Sequence, residues 1–174
     1  MTSEVAYAVE GETDISVAEK LIRRLGRTPR RVLVARGKST LDARLKRWNQ
    51  VSNELPFLVL RDWDRSDRAQ CVPELLATVL GGPTVAPALA VRVPVRAVES
   101  WLMADRDACA EFFATNHLPT DPDDAPDPKV SLVNACRRST RRTIRDAMVP
   151  RAGSHRVVGP LYEAEVITFG RDCW

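Results

Sequence analysis

Four short apolar runs alternate with longer stretches of helical spacing, and this alternation limits the chain to one broad architecture. The runs are Val5–Val9, Arg31–Ala35, Pro56–Leu60 and Ala88–Val93. Between them, Asp14–Leu25 places Val17, Ala18, Leu21, Ile22 and Leu25 at helical spacing before Gly26, and Thr40–Trp48 places Leu41, Leu45 and Trp48 on one face. A third helix is predicted from Ala69 to Leu80, ending at Gly81-Gly82-Pro83. Strands joined by helices cannot turn back as hairpins and pair in parallel instead. The prediction is an α/β fold: a Rossmann-like, four-stranded, mainly parallel sheet flanked by helices.

Beyond Ala88–Val93 the stretch Val95–Ala104 turns into a helix, and after Ala104 the character changes. Asp105–Ala114, Lys129–Arg137, Thr140–Met148 and Leu161–Phe169 read as helices, with the proline-broken stretch Pro119–Pro128 as a surface loop. The expected organisation is an α/β core over residues 1–104 and a helical C-terminal extension over 105–174, packed on the core. The abrupt end at Phe169–Trp174 raises the expectation that a longer helical C-terminus was lost or never present. The 44% hydrophobic and 28% charged fractions are those of a globular protein. No run reaches the roughly 18 apolar residues of a membrane span. The N-terminus has no basic segment or cleavage pattern, so no secretory signal is expected. Cys71, Cys109, Cys136 and Cys173 lack any CxxC spacing and read as reduced thiols, which makes the expected compartment cytoplasmic.

Two of the apolar runs end directly in acids. Glu10-Gly11 follows the first, and Arg61-Asp62-Trp63-Asp64 follows the third. In a parallel sheet these acids lie at the carboxyl ends of strands, the edge at which such sheets bind ligands. Several carboxylates in one cleft repel unless a cation is shared between them. Mg²⁺, or Mn²⁺ in its place, takes oxygen donors of this kind. Asp62 and Asp64 can alternatively cap the following turn, Asp14 and Asp67 can cap the first and third helices, and Glu99 can sit at a helix start for its dipole.

The order strand–Glu-Gly, helix, strand, helix, strand–Asp-x-Asp resembles the TOPRIM domain of topoisomerases, primases and OLD-family nucleases. The resemblance implies that Glu10 acts as general acid or base, or as a ligand of a second metal, and that Asp62 and Asp64 bind Mg²⁺. Asp14 matches the second acid of the first motif in OLD-type nucleases, Glu99 a later acid of that subgroup, and Lys129 its downstream catalytic lysine. The segments Val98–Asp105 (VESWLMAD) and Asp127-Pro128-Lys129 look closest to a family of small bacterial TOPRIM-like proteins, over nearly the whole chain. Two positions depart from the pattern: Asp64 is followed by Arg-Ser-Asp instead of a glycine, and Arg61 stands where the family keeps an apolar residue. The activity implied is Mg²⁺-dependent cleavage of a phosphodiester in nucleic acid, with a role in defence against phage or plasmids. The alternative is a TOPRIM-fold module that binds nucleic acid or a partner protein without cleaving.

Other motifs lead less far. Arg36-Gly37-Lys38-Ser39-Thr40 resembles the end of a phosphate-binding P-loop, but the required first glycine is Val32, inside a strand. Lys38 is retained as a candidate contact to a phosphate backbone. A strand followed by Asp-x-Asp also opens haloacid-dehalogenase phosphatases and occurs in metal-dependent glycosyltransferases. The first needs a later strand ending in an acidic pair, whereas Asp123-Asp124 falls in the proline-rich loop, and the second is normally longer. His117 and His155 stand alone.

Net charge is only +3, but it is unevenly placed: acids dominate 105–127 and bases dominate 129–156. Arg138, Arg141, Arg142 and Arg145, with Arg137, have helical spacing and are candidates to grip phosphates. The alternative is a solvated helix face paired with the acidic segment. Four of 26 basic residues are Lys and the rest Arg, a bias that a GC-rich bacterial genome would produce by itself. The expected partner is DNA or RNA and no membrane, with a partner protein from the same operon and a homodimer left open.

Overall fold

The structure, a computed structural model, describes residues 4–51 and 55–174. The chain divides into two compact units, residues 1–94 and 95–174, which are taken in turn.

The first unit is α/β. Strands β1 (Glu4–Val9), β2 (Thr28–Val34), β3 (Phe57–Leu60) and β4 (Leu89–Arg92) form a single sheet in the order β2-β1-β3-β4. All three pairings are parallel, as the alternation of strand and helix requires. Helices α1 (Thr13–Arg24), α2 (Lys38–Val51) and α3 (Val72–Leu80) are the crossovers. Side chains alternate across a strand, and both sheet faces are apolar. Ala8, Val59 and Val91 join Leu41 and Leu45 of α2 and Leu80 of α3 in one core cluster. On the other face Tyr7, paired in register with Leu58, reaches α1 through a hydrogen bond from its hydroxyl to Glu19 (2.7 Å). Val17, Ala18 and Ile22 of α1 are buried. Helices therefore cover both faces of the sheet.

Several boundaries differ from those predicted, each for a local reason. β2 starts three residues before the expected Arg31, because the edge strand pairs with β1 from Glu4↔Thr28 onward, with a register shift between Val5 and Ala6. Its outward arginines hide that pairing from an apolar count. α2 starts at Lys38, ahead of the expected Thr40, since Gly37 (φ 120°) makes the turn that releases it. α3 starts at Val72 because Pro73 suits a first turn and not a helix interior. Asp67 consequently caps nothing: the N-cap of α3 is Cys71. Trp63, between the two aspartates, is half-buried.

The second unit is helical among its described residues: α4 (Val98–Ala104), α5 (Arg106–Phe113), α6 (Pro128–Arg137), α7 (Arg142–Met148) and α8 (Tyr162–Asp172). Asp105 and Asp127 cap α5 and α6 with their side chains. Phe112, Phe113 and Phe169 form an aromatic cluster with centroids about 5 Å apart. Gly159 lets the approach to α8 lie against the end of α7, its amide donating to the Met148 carbonyl (2.9 Å). A Cβ there would stand 2.3 Å from the Ala147 oxygen. Cys109 and Cys136 are buried thiols, pushed up to about 12 by burial, while Cys71 and Cys173 are exposed. No described helix is long and apolar enough to cross a membrane.

Candidate functional site

β1 and β3 are neighbours, with Ala8 paired to Val59. Two residues further along, the same register sets Glu10 opposite Arg61, so that the two acidic motifs leave the sheet side by side. The loop after β2 joins them: Ala35 donates its amide to the Val9 carbonyl (2.9 Å) and Gly37 to the Glu10 carbonyl (3.2 Å). Arg36 adopts a left-handed conformation (φ 58°) to make that turn. The carboxyl edge of the first unit thus gathers Glu10, Asp14, Lys38, Arg61, Asp62 and Asp64.

The side chains there divide into engaged and unengaged groups. Asp14 is buried and serves its own turn, its carboxylate accepting from the Gly11 amide (2.8 Å) and from the Thr13 hydroxyl (3.2 Å). It is neither the N-cap, which is Glu12, nor turned away from the turn; it fixes the Glu10-Gly11 corner. Glu10 is half-buried, and its Oε2 is a buried oxygen with no hydrogen-bond partner among the described residues. Burial raises its carboxyl above the ordinary value, and the charge of Asp14 adds to this, while Arg61 and Lys38 pull the other way.

Arg61, which departs from the family pattern in sequence, organises the edge. It is 1% exposed. Its guanidinium donates to both oxygens of Asp42 (3.1 and 2.8 Å), to both of Asp67 (one at 2.7 Å), and to the carbonyl of Asp62. Burial would lower the guanidinium, but the bonds to Asp67 and Asp42 outweigh it and hold Arg61 as a permanent cation. Sequence reading missed this because a charge among apolar residues at a strand end gives no periodic signal. Its one trace was an arginine in place of an apolar residue.

Lys38 supplies a second fixed charge. From the first turn of α2 its Nζ donates to Asp64 Oδ1 (2.7 Å) and to the Ser66 hydroxyl, and lies 3.6 Å from Asp67. Asp64 also accepts from the Ser66 amide (2.7 Å). Burial acts to raise Asp64, but Lys38 and Ser66 prevail and hold it at about 2. Lys38 therefore stands on an acid of the same edge in this conformation. Asp62 and Asp64 are both half-buried.

Among the described residues no three His, Cys, Asp or Glu side chains converge into a set that could hold a metal unaided. The donors present, Glu10, Asp62 and Asp64, are hard oxygens that fit Mg²⁺ or Mn²⁺ when water and substrate oxygens complete the shell, the usual manner of Mg²⁺. The unpartnered Oε2 of Glu10 is one oxygen such an ion would satisfy.

The other predicted residues lie in the second unit. Glu99 is 1% exposed, accepts from the Tyr162 hydroxyl (2.9 Å), and has Lys129 Nζ at 3.7 Å. Tyr162 is raised by its own burial and by Glu99. Lys129 is half-exposed at the start of α6. The arginine cluster is not one helix face: Arg137 closes α6, Arg138 and Arg141 occupy the connection, and Arg142 and Arg145 belong to α7. Arg138 lies 3.4 Å from His117 Nδ1, Arg141 donates to the Glu111 carbonyl, Arg145 donates to the Ser139 carbonyl, and Arg142 pairs with Asp146. Among the described residues none of them pairs with a carboxylate of 105–127, which removes the reading that the acidic segment neutralises them.

No family model, curated protein or solved structure matches this chain.

Proposed function

We propose that the first unit is a TOPRIM-like domain and that the chain cleaves phosphodiester bonds in nucleic acid with the help of Mg²⁺ or Mn²⁺. The observation that carries this reading is the buried, unpartnered Glu10 Oε2 at a sheet edge shared with Asp62 and Asp64. A carboxylate oxygen left without a donor costs about 1–3 kcal/mol, and a fold keeps such a group where a ligand or a proton completes it. Asp62 and Asp64 would hold the cation, which when bound polarises the phosphate and its attacking water. Glu10, with its carboxyl raised, suits a group that gives a proton to the leaving oxygen as the phosphorus–oxygen bond breaks. Lys38 would exchange its bond to Asp64 for one to a substrate phosphate.

A second reading is favoured by the same edge: Lys38 is held only to the 43% exposed Asp64 and its turn, so it could pass to a phosphate backbone and the unit bind nucleic acid without metal or cleavage. The two separate in one experiment. Wild type, Asp62→Asn and Glu10→Gln are titrated with Mn²⁺ by electron paramagnetic resonance and incubated with plasmid DNA and with RNA, in Mg²⁺ and in chelator. Cleavage that needs the metal and fails in both variants, with Mn²⁺ binding lost in Asp62→Asn, supports the nuclease. Wild type that binds no divalent cation at millimolar concentration refutes it and leaves the binding module.

A further inference from the structure

The second unit carries a run of three concavities joined by shared cationic residues. The first, about 320 Å³, is bordered by Thr140, Asn116, His117 and Arg138. The second, about 470 Å³, shares His117 and Arg138 with it and adds Asn134 and Arg137. The third, about 500 Å³, shares Arg137 with the second and adds Arg145 and Arg151. Through these shared residues the three adjoin as one arginine-lined trough.

Its charge is left available. Arg137, Arg138 and Arg151 are exposed, and neither the Arg137 nor the Arg151 side chain donates a hydrogen bond or joins an ion pair among the described residues. The Arg138 side chain is hydrogen-bonded to the His117 ring and Arg145 donates through one Nη to a backbone carbonyl, and neither joins an ion pair among the described residues. Two acids border the trough. Glu111 lies in the first concavity, and Asp146 lies in the third, where Arg142 already pairs with it. Uncharged donors, Asn116 and Asn134 among them, line the stretch between.

Unpaired like charges held in a row raise the free energy of a fold, and a row of anions relieves it. The guanidinium fork matches two oxygens of a phosphate, and neighbouring amides and hydroxyls are the usual accessory contacts to a phosphate-sugar chain. We infer that this trough is a phosphate-tracking groove for a nucleic-acid strand, with Arg137, Arg138, Arg145 and Arg151 as its phosphate contacts. The choice of nucleic acid over another polyanion rests on the reading proposed above. The groove itself needs no metal.

The test is therefore made in chelator, with the full chain and fluorescein-labelled single-stranded and duplex oligonucleotides, by anisotropy over a range of salt. Arg137→Ala/Arg151→Ala should bind about tenfold more weakly at 0.1 M salt, with a salt slope shallower by about 0.9 per lost contact on duplex or 0.7 on a single strand. Arg137→Lys/Arg151→Lys should keep most of the slope, since charge and not shape sets it. Circular dichroism checks that these surface variants fold. Equal binding and slope in the alanine variant would overturn the inference, as would a wild type that binds neither oligonucleotide. Polyglutamate of matched charge competing as well as the oligonucleotide would also overturn it, making the trough a dock for acidic peptides. Because metal is absent throughout, failure of the nuclease reading leaves these outcomes unchanged.

Discussion

Replacing Arg61 with methionine tests whether the edge of the first unit is held by a buried cation. The arginine side chain is 2% exposed, its partner Asp67 9% and its partner Asp42 26%. Removing one member of a buried pair typically costs about 3–5 kcal/mol, because the remaining charge stays desolvated and unpaired. Asp67 keeps only the 3.6 Å contact to Lys38 and so falls at the lower end of that class, about 3 kcal/mol, whereas Asp42 is wetter and is discounted to about 1 kcal/mol. Methionine fills most of the volume, so little is added for a cavity. The expected loss is then about 4 kcal/mol, a fall of about 2 M in the urea midpoint at a slope of about 2 kcal/mol/M. Hydrogen-exchange protection of the β3 amides reads the first unit by itself, alongside urea unfolding by circular dichroism. Arg61→Met combined with Asp42→Asn and Asp67→Asn leaves no stranded charge and should recover most of the loss. A loss below about 1 kcal/mol, or a triple variant no better than the single one, would refute the reasoning.

Three further outcomes follow from the same contacts. Asp64 is held at about 2, below the unfolded value of about 3.9, so its stabilising effect is complete above that value and disappears as pH falls from about 4 toward 2. In Lys38→Met the midpoint of the Asp64 carboxyl, followed by NMR titration, should move up toward the ordinary range, and an unmoved midpoint would contradict the assigned contact. Glu10 is shifted the opposite way: its folded value lies above the unfolded one, so its penalty is absent below about 4.3 and sets in as pH rises past that point. Glu10→Gln should therefore stabilise the chain at neutral pH by on the order of 1 kcal/mol and gain nothing in acid, by urea unfolding at two pH values. Gly159→Ala should lose about 2–3 kcal/mol in thermal unfolding, since its Cβ would meet backbone at 2.3 and 2.4 Å. Gly82→Ala, with open space around it, is the matched control.

The sheet was legible because its cause is local. Four apolar runs with helical spacing between them allow little besides parallel strands, and Glu10 and Asp62 could be placed at strand ends from the chain alone. What the sequence withheld is non-local. Asp42, Arg61 and Asp67 are spread along 26 positions and meet only where α2 comes beside the segment after β3. The partner of Lys38 depends on where α2 begins, which turns on the conformation of Gly37. The arginines read as one helical face because i, i+3 and i+4 spacing persists across the break between α6 and α7, and no local rule registers such a break. Arg151 stood outside the pattern altogether, yet the fold places it in one concavity with Arg137.

These non-local contacts bear on how the carboxyl edge could work. A set of carboxylates at strand ends must be balanced, and it can be balanced by side chains of the chain or by an ion from solution. Here the balance is divided. Arg61 is buried and bonded through every nitrogen, so Asp42 and Asp67 are committed to it and serve the fold. Lys38 is held by a flexible stem from the first turn of a helix, its Asp64 partner is 43% exposed, and screening keeps such a pair weak. On the proposed reading a divalent cation, with twice the charge of the ammonium, would compete for the same oxygen of Asp64. Lys38 can release that oxygen without loss wherever a phosphate is present to receive it. Metal and substrate would then favour each other's binding at this edge. On the proposed reading Lys38 would pass from Asp64 to a phosphate and leave an Asp64 oxygen for a cation, so each would lower the cost of binding the other.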